Sequence, residues 1–128
     1  MHFGEHLTID GYGGDQELLN NKEIVERALS ELPTLLGMHT ICEAVVVSAP
    51  ANNLKDPGGW SGFVMIAESH ISIHTFPARG FVSIDVYTCQ NGLGIEKIKG
   101  YFNTAFSLRD QEINFIKRGT RYPEHNIY

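Results

Sequence analysis

The stretch Glu68-Ser69-His70-Ile71-Ser72-Ile73-His74-Thr75-Phe76-Pro77 decides how this chain folds and where its chemistry lies. Ile71, Ile73 and Thr75 alternate with serine and histidine, and this two-residue period is typical of a half-buried β-strand. One face of the strand is therefore apolar and the other carries polar, reactive groups. After a turn from Pro77 to Gly80, the run from Phe81 to Cys89 alternates in the same way, which predicts a neighbouring strand.

The rest of the chain predicts an α+β fold. Asn20 and Glu23 resemble a capping pair, and the apolar residues that follow recur at helical spacing until Gly37. A second helix carries an apolar stripe from Ile95 to Phe106. Further strands are predicted at 7–9, 40–47, 63–67 and 113–117. We expect a two-layer sandwich, in which an antiparallel sheet carries both helices on one face.

The run from Phe63 to Ala67 bears on the oligomeric state. It is uniformly apolar, whereas a strand covered on one face only alternates between apolar and polar residues. The second face of the sheet therefore needs a cover, and we expect a homodimer.

Composition limits the class of protein. With 128 residues and 42% hydrophobic content, the chain is expected to form one domain over residues 1–128. A formal charge of -5 argues against nucleic acid as a partner. Cys42 and Cys89 lie in apolar runs rather than at metal-type spacings, which favours a reduced cytoplasm. No leader pattern or long apolar run is present, so we expect a cytoplasmic protein without a membrane partner.

The candidate catalytic residues lie around Ser69 in the sequence. Ser61 lies eight positions before it, His74 five after it and Cys89 twenty after it, and we interpret the four as one site, with neighbouring strands bringing His74 and Cys89 together. Taken singly, each is more simply a polar residue at a sheet edge or, for Cys89, a small buried side chain. Cys42 has no candidate catalytic residues at comparable spacing and is expected in the core.

Two other kinds of site, a metal site and a hydrolase site, fit the sequence less well. A metal on His70 and His74 is disfavoured, because a strand would separate them by about 13 Å. A Ser-His hydrolase is disfavoured because no glycines frame Ser69 as a nucleophile elbow requires.

The whole constellation resembles the bacterial and archaeal S-adenosylmethionine decarboxylases, which are pyruvoyl-dependent enzymes of polyamine and spermidine biosynthesis. The resemblance rests on motifs at family spacing, namely Ser61-Gly62, Glu68-Ser69-His70, 74–77 (His-Thr-Phe-Pro) and 85–89 (Asp-Val-Tyr-Thr-Cys). It extends more loosely to 4–7 and 118–122.

The resemblance implies a self-processing lyase that needs neither a metal nor pyridoxal phosphate. The precursor is expected to cut itself between Glu68 and Ser69, leaving a pyruvoyl group derived from Ser69 at the start of the second chain. Ser61 and His74 then serve the cleavage, His74 as the base. In turnover the pyruvoyl group forms a Schiff base with a small amine substrate and accepts electrons as CO₂ leaves, and Cys89 donates the proton that follows.

Two positions depart from the family pattern and bear on the substrate. Ala78 replaces the glutamate that holds the ribose hydroxyls, and Lys55 replaces a phenylalanine that stacks on adenine. These losses favour L-arginine or L-ornithine, which would give agmatine or putrescine. The alternative is S-adenosylmethionine itself, with Trp60 and Asp56 taking over the lost contacts. A second alternative is a regulatory family member without catalytic activity.

Overall fold

A computed structural model describes residues 2–52, 55 and 57–128. Six strands form one antiparallel sheet in the order β2-β3-β4-β5-β1-β6. The strands are β1 (Gly4–Tyr12), β2 (Val45–Ala49), β3 (Gly59–Ile66), β4 (Ser69–Phe76), β5 (Phe81–Thr88) and β6 (Asp110–Arg118). The helices are α1 (Gln16–Leu19), α2 (Lys22–Leu35) and α3 (Ile95–Phe106), and a short 3₁₀ turn (Pro77–Arg79) joins β4 to β5. The predicted α+β architecture is confirmed.

The core lies between the sheet and the helices. Alternate residues of the central strands point into it, and Ile71 and Ile73 of β4 are fully buried. Helices α2 and α3 supply the other wall through their apolar stripes, which include Leu29 and Phe102. The two-residue period seen in the sequence thus explains why one face of β4 and β5 is buried.

Local boundaries differ from the sequence prediction at several places, including β1 and β3, which begin earlier than predicted. Asn21, not Asn20, caps α2, because its side chain accepts the backbone N–H groups of Glu23 and Ile24. Asn20 instead ends the four-residue helix α1, which is too short to show a period in the sequence. Strand β2 begins at Val45, since only an isolated bridge from Thr40 to Ile66 precedes it. Strand β6 is longer than predicted at both ends.

The face of the sheet opposite the helices, which we call the open face, is partly apolar. Val45 and Val47 of β2 are 55% and 54% exposed, and Phe63 and Met65 of β3 are 40% and 43% exposed. An uncovered apolar patch of this kind is typical of an interaction surface. The homodimer stays a prediction.

Within the described part of the chain, no helix has the length and apolar character that crossing a membrane requires.

Candidate active site

The turn between β3 and β4 carries an unusual backbone conformation. Ile66 pairs with Ser69, so that Ala67 and Glu68 form a two-residue turn. Glu68 adopts a φ of 61°, in the left-handed region that glycine normally occupies. For a residue with a Cβ this conformation costs about 1–2 kcal/mol. The peptide bond that follows Glu68 therefore lies in a strained turn.

Ser69 begins β4 directly after this turn and is only 7% exposed. Its Oγ accepts a hydrogen bond of 3.0 Å from the backbone N–H of Cys89. The thiol of Cys89 is 4.0 Å from the carbonyl oxygen of Ala67. The structure therefore brings Ser69, Cys89 and the strained turn together, and we call these residues, with Glu68, the serine half-site.

A second pair lies at the other end of the hairpin. Ser61 of β3 faces His74 of β4 in the ladder, and Ser61 Oγ is 2.8 Å from His74 Nδ1. The imidazole is exposed on the open face, so that a hydroxyl proton and a base are held next to each other. We call this pair the histidine half-site.

The two half-sites do not meet within one chain, which corrects the prediction of a single site. Ser69 and His74 are five residues apart on one strand, or on the order of 16 Å, and an odd spacing places them on opposite faces. The register explains why neighbouring strands do not join His74 to Cys89. His74 pairs with Ser83, whereas Cys89 follows Thr88 at the far end of β5.

Ala78 lines a cavity of about 360 Å³, and neither Ser61 nor His74 is among the described residues of its wall. Its walls include Gln16, Asn20, Ala51 and Gly59, and none of the described residues that line it is acidic. Lys55, at the predicted adenine position, is exposed in a bend. Asp56 lies outside the described residues.

The position of Trp60 argues against its replacing the phenylalanine that stacks on adenine in the family. Its side chain packs against the core rather than standing beside Ser61 on the open face. The indole N–H donates to the carbonyl oxygen of Asn20 at 3.1 Å, which holds the ring in the helix layer.

Two groups of polar residues lie in the segments 4–7, 85–89 and 118–122 that carry the resemblance, but they were assigned no role from the sequence. His6 bonds to Asp85 at 3.0 Å, and the Arg118 guanidinium lies 5.0 Å from the Tyr87 ring centroid on the open face. Glu5 is buried because β1 turns its side chain to the same side as Leu7 and Ile9. The signal for Glu5 is a charged residue at an inward position of an alternating strand.

The donor set around Ser69 fits a serine-derived group rather than a bound metal. A buried hydroxyl lies at a strained peptide bond, with a thiol and a backbone N–H beside it. Within the described residues, no three His, Cys, Asp or Glu side chains are grouped to hold a metal ion.

Comparison with known proteins finds similarity to one family over most of the chain. A family model described as S-adenosylmethionine decarboxylase matches residues 5–119. The S-adenosylmethionine decarboxylase proenzyme of Clostridium kluyveri is 33% identical over 116 residues, covering 91% of this chain and 86% of that protein. The proenzyme of Caldicellulosiruptor saccharolyticus is 32% identical over 120 residues, covering 93% and 91%.

A solved structure is similar over nearly its entire length. The crystal structure of the adenosylmethionine decarboxylase from Aquifex aeolicus superimposes with a TM-score of 0.79 at 26% identity, and the match covers 98% of both chains.

Proposed function

Because the chain belongs to the S-adenosylmethionine decarboxylase family and is therefore a pyruvoyl-dependent carboxy-lyase, we propose that Ser69 is the residue from which its pyruvoyl group forms. The observation that carries this proposal is the placement of a buried serine hydroxyl at the strained Glu68–Ser69 peptide bond, on the backbone N–H of Cys89. Cleavage there would yield chains 1–68 and 69–128 from the single predicted domain.

The cleavage chemistry uses groups of the chain itself. Ser69 Oγ attacks the carbonyl carbon of Glu68, the C–N bond breaks, and the nitrogen takes a proton, which converts the amide to an ester. A base then removes the Cα proton of Ser69, and the Cβ–Oγ bond breaks with Oγ leaving as part of the new Glu68 carboxylate. Hydrolysis of the resulting dehydroalanine releases ammonia and leaves the ketone. The N–H of Cys89 stabilises the charge that develops on Oγ in the second step.

The histidine half-site supplies the base, but it must come from a second copy of the chain. Within one protomer His74 lies on the order of 16 Å from Ser69, which is too far for proton transfer. The exposed apolar residues of the open face, Phe63 and Met65 among them, give the two copies a surface to bury. A homodimer with two-fold symmetry joins each serine half-site to the partner's histidine half-site.

In turnover the pyruvoyl ketone supplies an electron sink for loss of CO₂. Cys89 holds the proton that then replaces the carboxylate, since its thiol lies beside the turn that carries Ser69.

S-adenosylmethionine is the substrate that the comparisons support, because relatives about one third identical across nine tenths of this chain bear that name. This order of substrates reverses the preference drawn from the sequence. In the polyamine pathway such an enzyme supplies the aminopropyl donor for spermidine synthesis.

L-Arginine or L-ornithine is a second candidate substrate, and a specific observation favours it. Position 78, where the family pattern has the ribose-binding glutamate, is an alanine, and none of the described residues that line the cavity beside it is acidic. A linear amino acid has no ribose and loses nothing by this change.

Two measurements test the proposal. Denaturing mass spectrometry should find chains 1–68 and 69–128, the second blocked by pyruvoyl, and an intact chain for Ser69→Ala. CO₂ release should then be measured with S-adenosylmethionine, L-arginine, L-ornithine and L-lysine separately. Cys89→Ala should still cleave but release CO₂ slowly. An intact wild-type chain would refute the proposed self-cleavage at Ser69 and favour a regulatory family member without catalytic activity.

A further inference from the structure

Glu5 is a buried carboxylate that the proposed mechanism does not use. It lies on β1 opposite Thr88, is 5% exposed, and accepts the backbone N–H of Leu93 at 2.8 Å. The N–H of Gly92 and the imidazole of His2 also contact it, His2 at 3.1 Å. Burial acts to raise the pKa of Glu5, but the bonds from Leu93, Gly92 and His2 outweigh it and lower the pKa overall. The group is therefore ionised at neutral pH.

Gly92 and Leu93 belong to the segment 89–94, which connects β5 to α3 and begins with Cys89. Besides the N–H of Gly92, three more backbone N–H groups of this segment are held by side chains. Cys89 donates to Ser69 Oγ at 3.0 Å, Gln90 to Thr88 Oγ1 at 3.0 Å, and Leu93 to Glu5 Oε1 at 2.8 Å. The position of the Cys89 thiol depends on these anchors.

Self-cleavage removes the first of these anchors. In the proposed reaction Ser69 Oγ leaves with Glu68, so the N–H of Cys89 loses the oxygen that holds it in the precursor. Thr88 and Glu5 then hold the segment, and Glu5 is the only charged group of the two. Hydrogen bonds to an ionised acceptor are roughly twice as strong as those between neutral groups.

We infer that Glu5 is a positioning residue for Cys89, and that it becomes important when cleavage has removed the Ser69 hydroxyl. The inference rests on the proposed function, because it assumes that Cys89 is the proton donor. It assigns Glu5 no contact with the substrate.

The variant Glu5→Gln tests this inference, because it keeps the shape of the side chain and removes its charge. Glu31→Gln is the matched control, since Glu31 also accepts a hydrogen bond, from Tyr101 at 2.9 Å, but lies on α2. Both are made in the wild-type chain and in Ser69→Ala, which lacks the hydroxyl without needing cleavage.

The first measurement is the rate at which iodoacetamide alkylates Cys89 as a function of pH, with Cys42 as the internal reference. Amide hydrogen exchange of Leu93 is followed in the same samples. In Ser69→Ala, we expect Glu5→Gln to speed Leu93 exchange by about tenfold and to displace the alkylation profile of Cys89 but not that of Cys42. In the self-processing chain, kcat should fall about tenfold with little change in KM, and self-cleavage should stay within about twofold of wild type, since Ser69 still anchors Cys89 before the cut.

The outcomes separate the inference from the proposed function. Faster Leu93 exchange with an unchanged Cys89 alkylation profile would show that Glu5 only stabilises the fold, and so would an equal effect of Glu31→Gln. Failure of the wild-type chain to cleave would refute the proposed function, whereas the exchange and alkylation results in Ser69→Ala would still report on Glu5.

Discussion

Ser61 Oγ and His74 Nδ1 lie 2.8 Å apart across the β3–β4 ladder, at the end of the hairpin remote from the Glu68–Ser69 bond. A hydroxyl and an imidazole at this distance form an acid-base pair, yet neither reaches Ser69 in the same chain. The pair lies on the open face, opposite the described helices. The proposed two-fold dimer would supply each serine half-site with the histidine half-site of the partner.

A complementation experiment follows from this division. Ser69→Ala and His74→Ala should each be inactive alone, whereas mixed dimers carry one site with both halves intact. Random mixing should therefore restore roughly a quarter of the sites. Mass spectrometry should show that only the His74→Ala chain is cut, because it alone keeps Ser69.

The control uses two variants from the same half-site. Ser61→Ala mixed with His74→Ala leaves every site with a damaged histidine half, so cleavage should stay at the level of the single variants. Full cleavage of His74→Ala by itself, or none in the first mixture, would contradict the shared site.

The backbone of Glu68 gives a second prediction. Glu68→Gly should relieve the strain at φ 61° and stabilise the precursor by about 1 kcal/mol. The same strain raises the energy of the bond that is cut, so its loss should slow self-cleavage by up to about tenfold, at 1.4 kcal/mol per tenfold. The time course of cleavage and the unfolding midpoint of the precursor check this.

Ser107 provides the control for this variant. It is the other non-glycine residue with a positive φ in the described part of the chain, and it ends α3 away from the turn. Ser107→Gly should therefore raise stability without changing the cleavage rate. Equal cleavage rates for Glu68→Gly and wild type would show that backbone strain at Glu68 does not accelerate self-cleavage.

Much of the fold was predictable because its signals are local. The alternation of Ile71 and Ile73 with polar residues predicts β4 and its buried face correctly. The pairing of strands is not local, so grouping His74 with Cys89 on neighbouring strands was wrong for a single chain. The odd spacing between Ser69 and His74 already indicated opposite faces.

A third prediction concerns the substrate. Ala78→Glu should place a carboxylate at the cavity that Ala78 lines, where it can accept hydrogen bonds from ribose hydroxyls. One added charge-assisted hydrogen bond should lower KM for S-adenosylmethionine about tenfold and leave turnover of L-arginine unchanged. Steady-state CO₂ release with each substrate measures this.

Ala51→Glu is a control for the added charge, because Ala51 lines the same cavity. It should not reproduce the gain if position 78 is specific. Wild-type turnover of L-arginine or L-ornithine faster than that of S-adenosylmethionine would instead establish the second candidate substrate.

A fourth prediction concerns carboxylates on the open face. Burial raises the pKa of Asp10 above its usual 3.8, and Glu112 and Asp85 raise it further. An acid whose pKa is raised by folding is neutral in both states at low pH, and it destabilises the fold once pH rises through its unfolded and then its folded pKa. Asp10→Asn should therefore raise the melting temperature by a few degrees at pH 7 and by nothing below the unfolded pKa. Thermal unfolding across this range measures the difference, and an equal gain at pH 3 and pH 7 would show that removal of charge is not its cause.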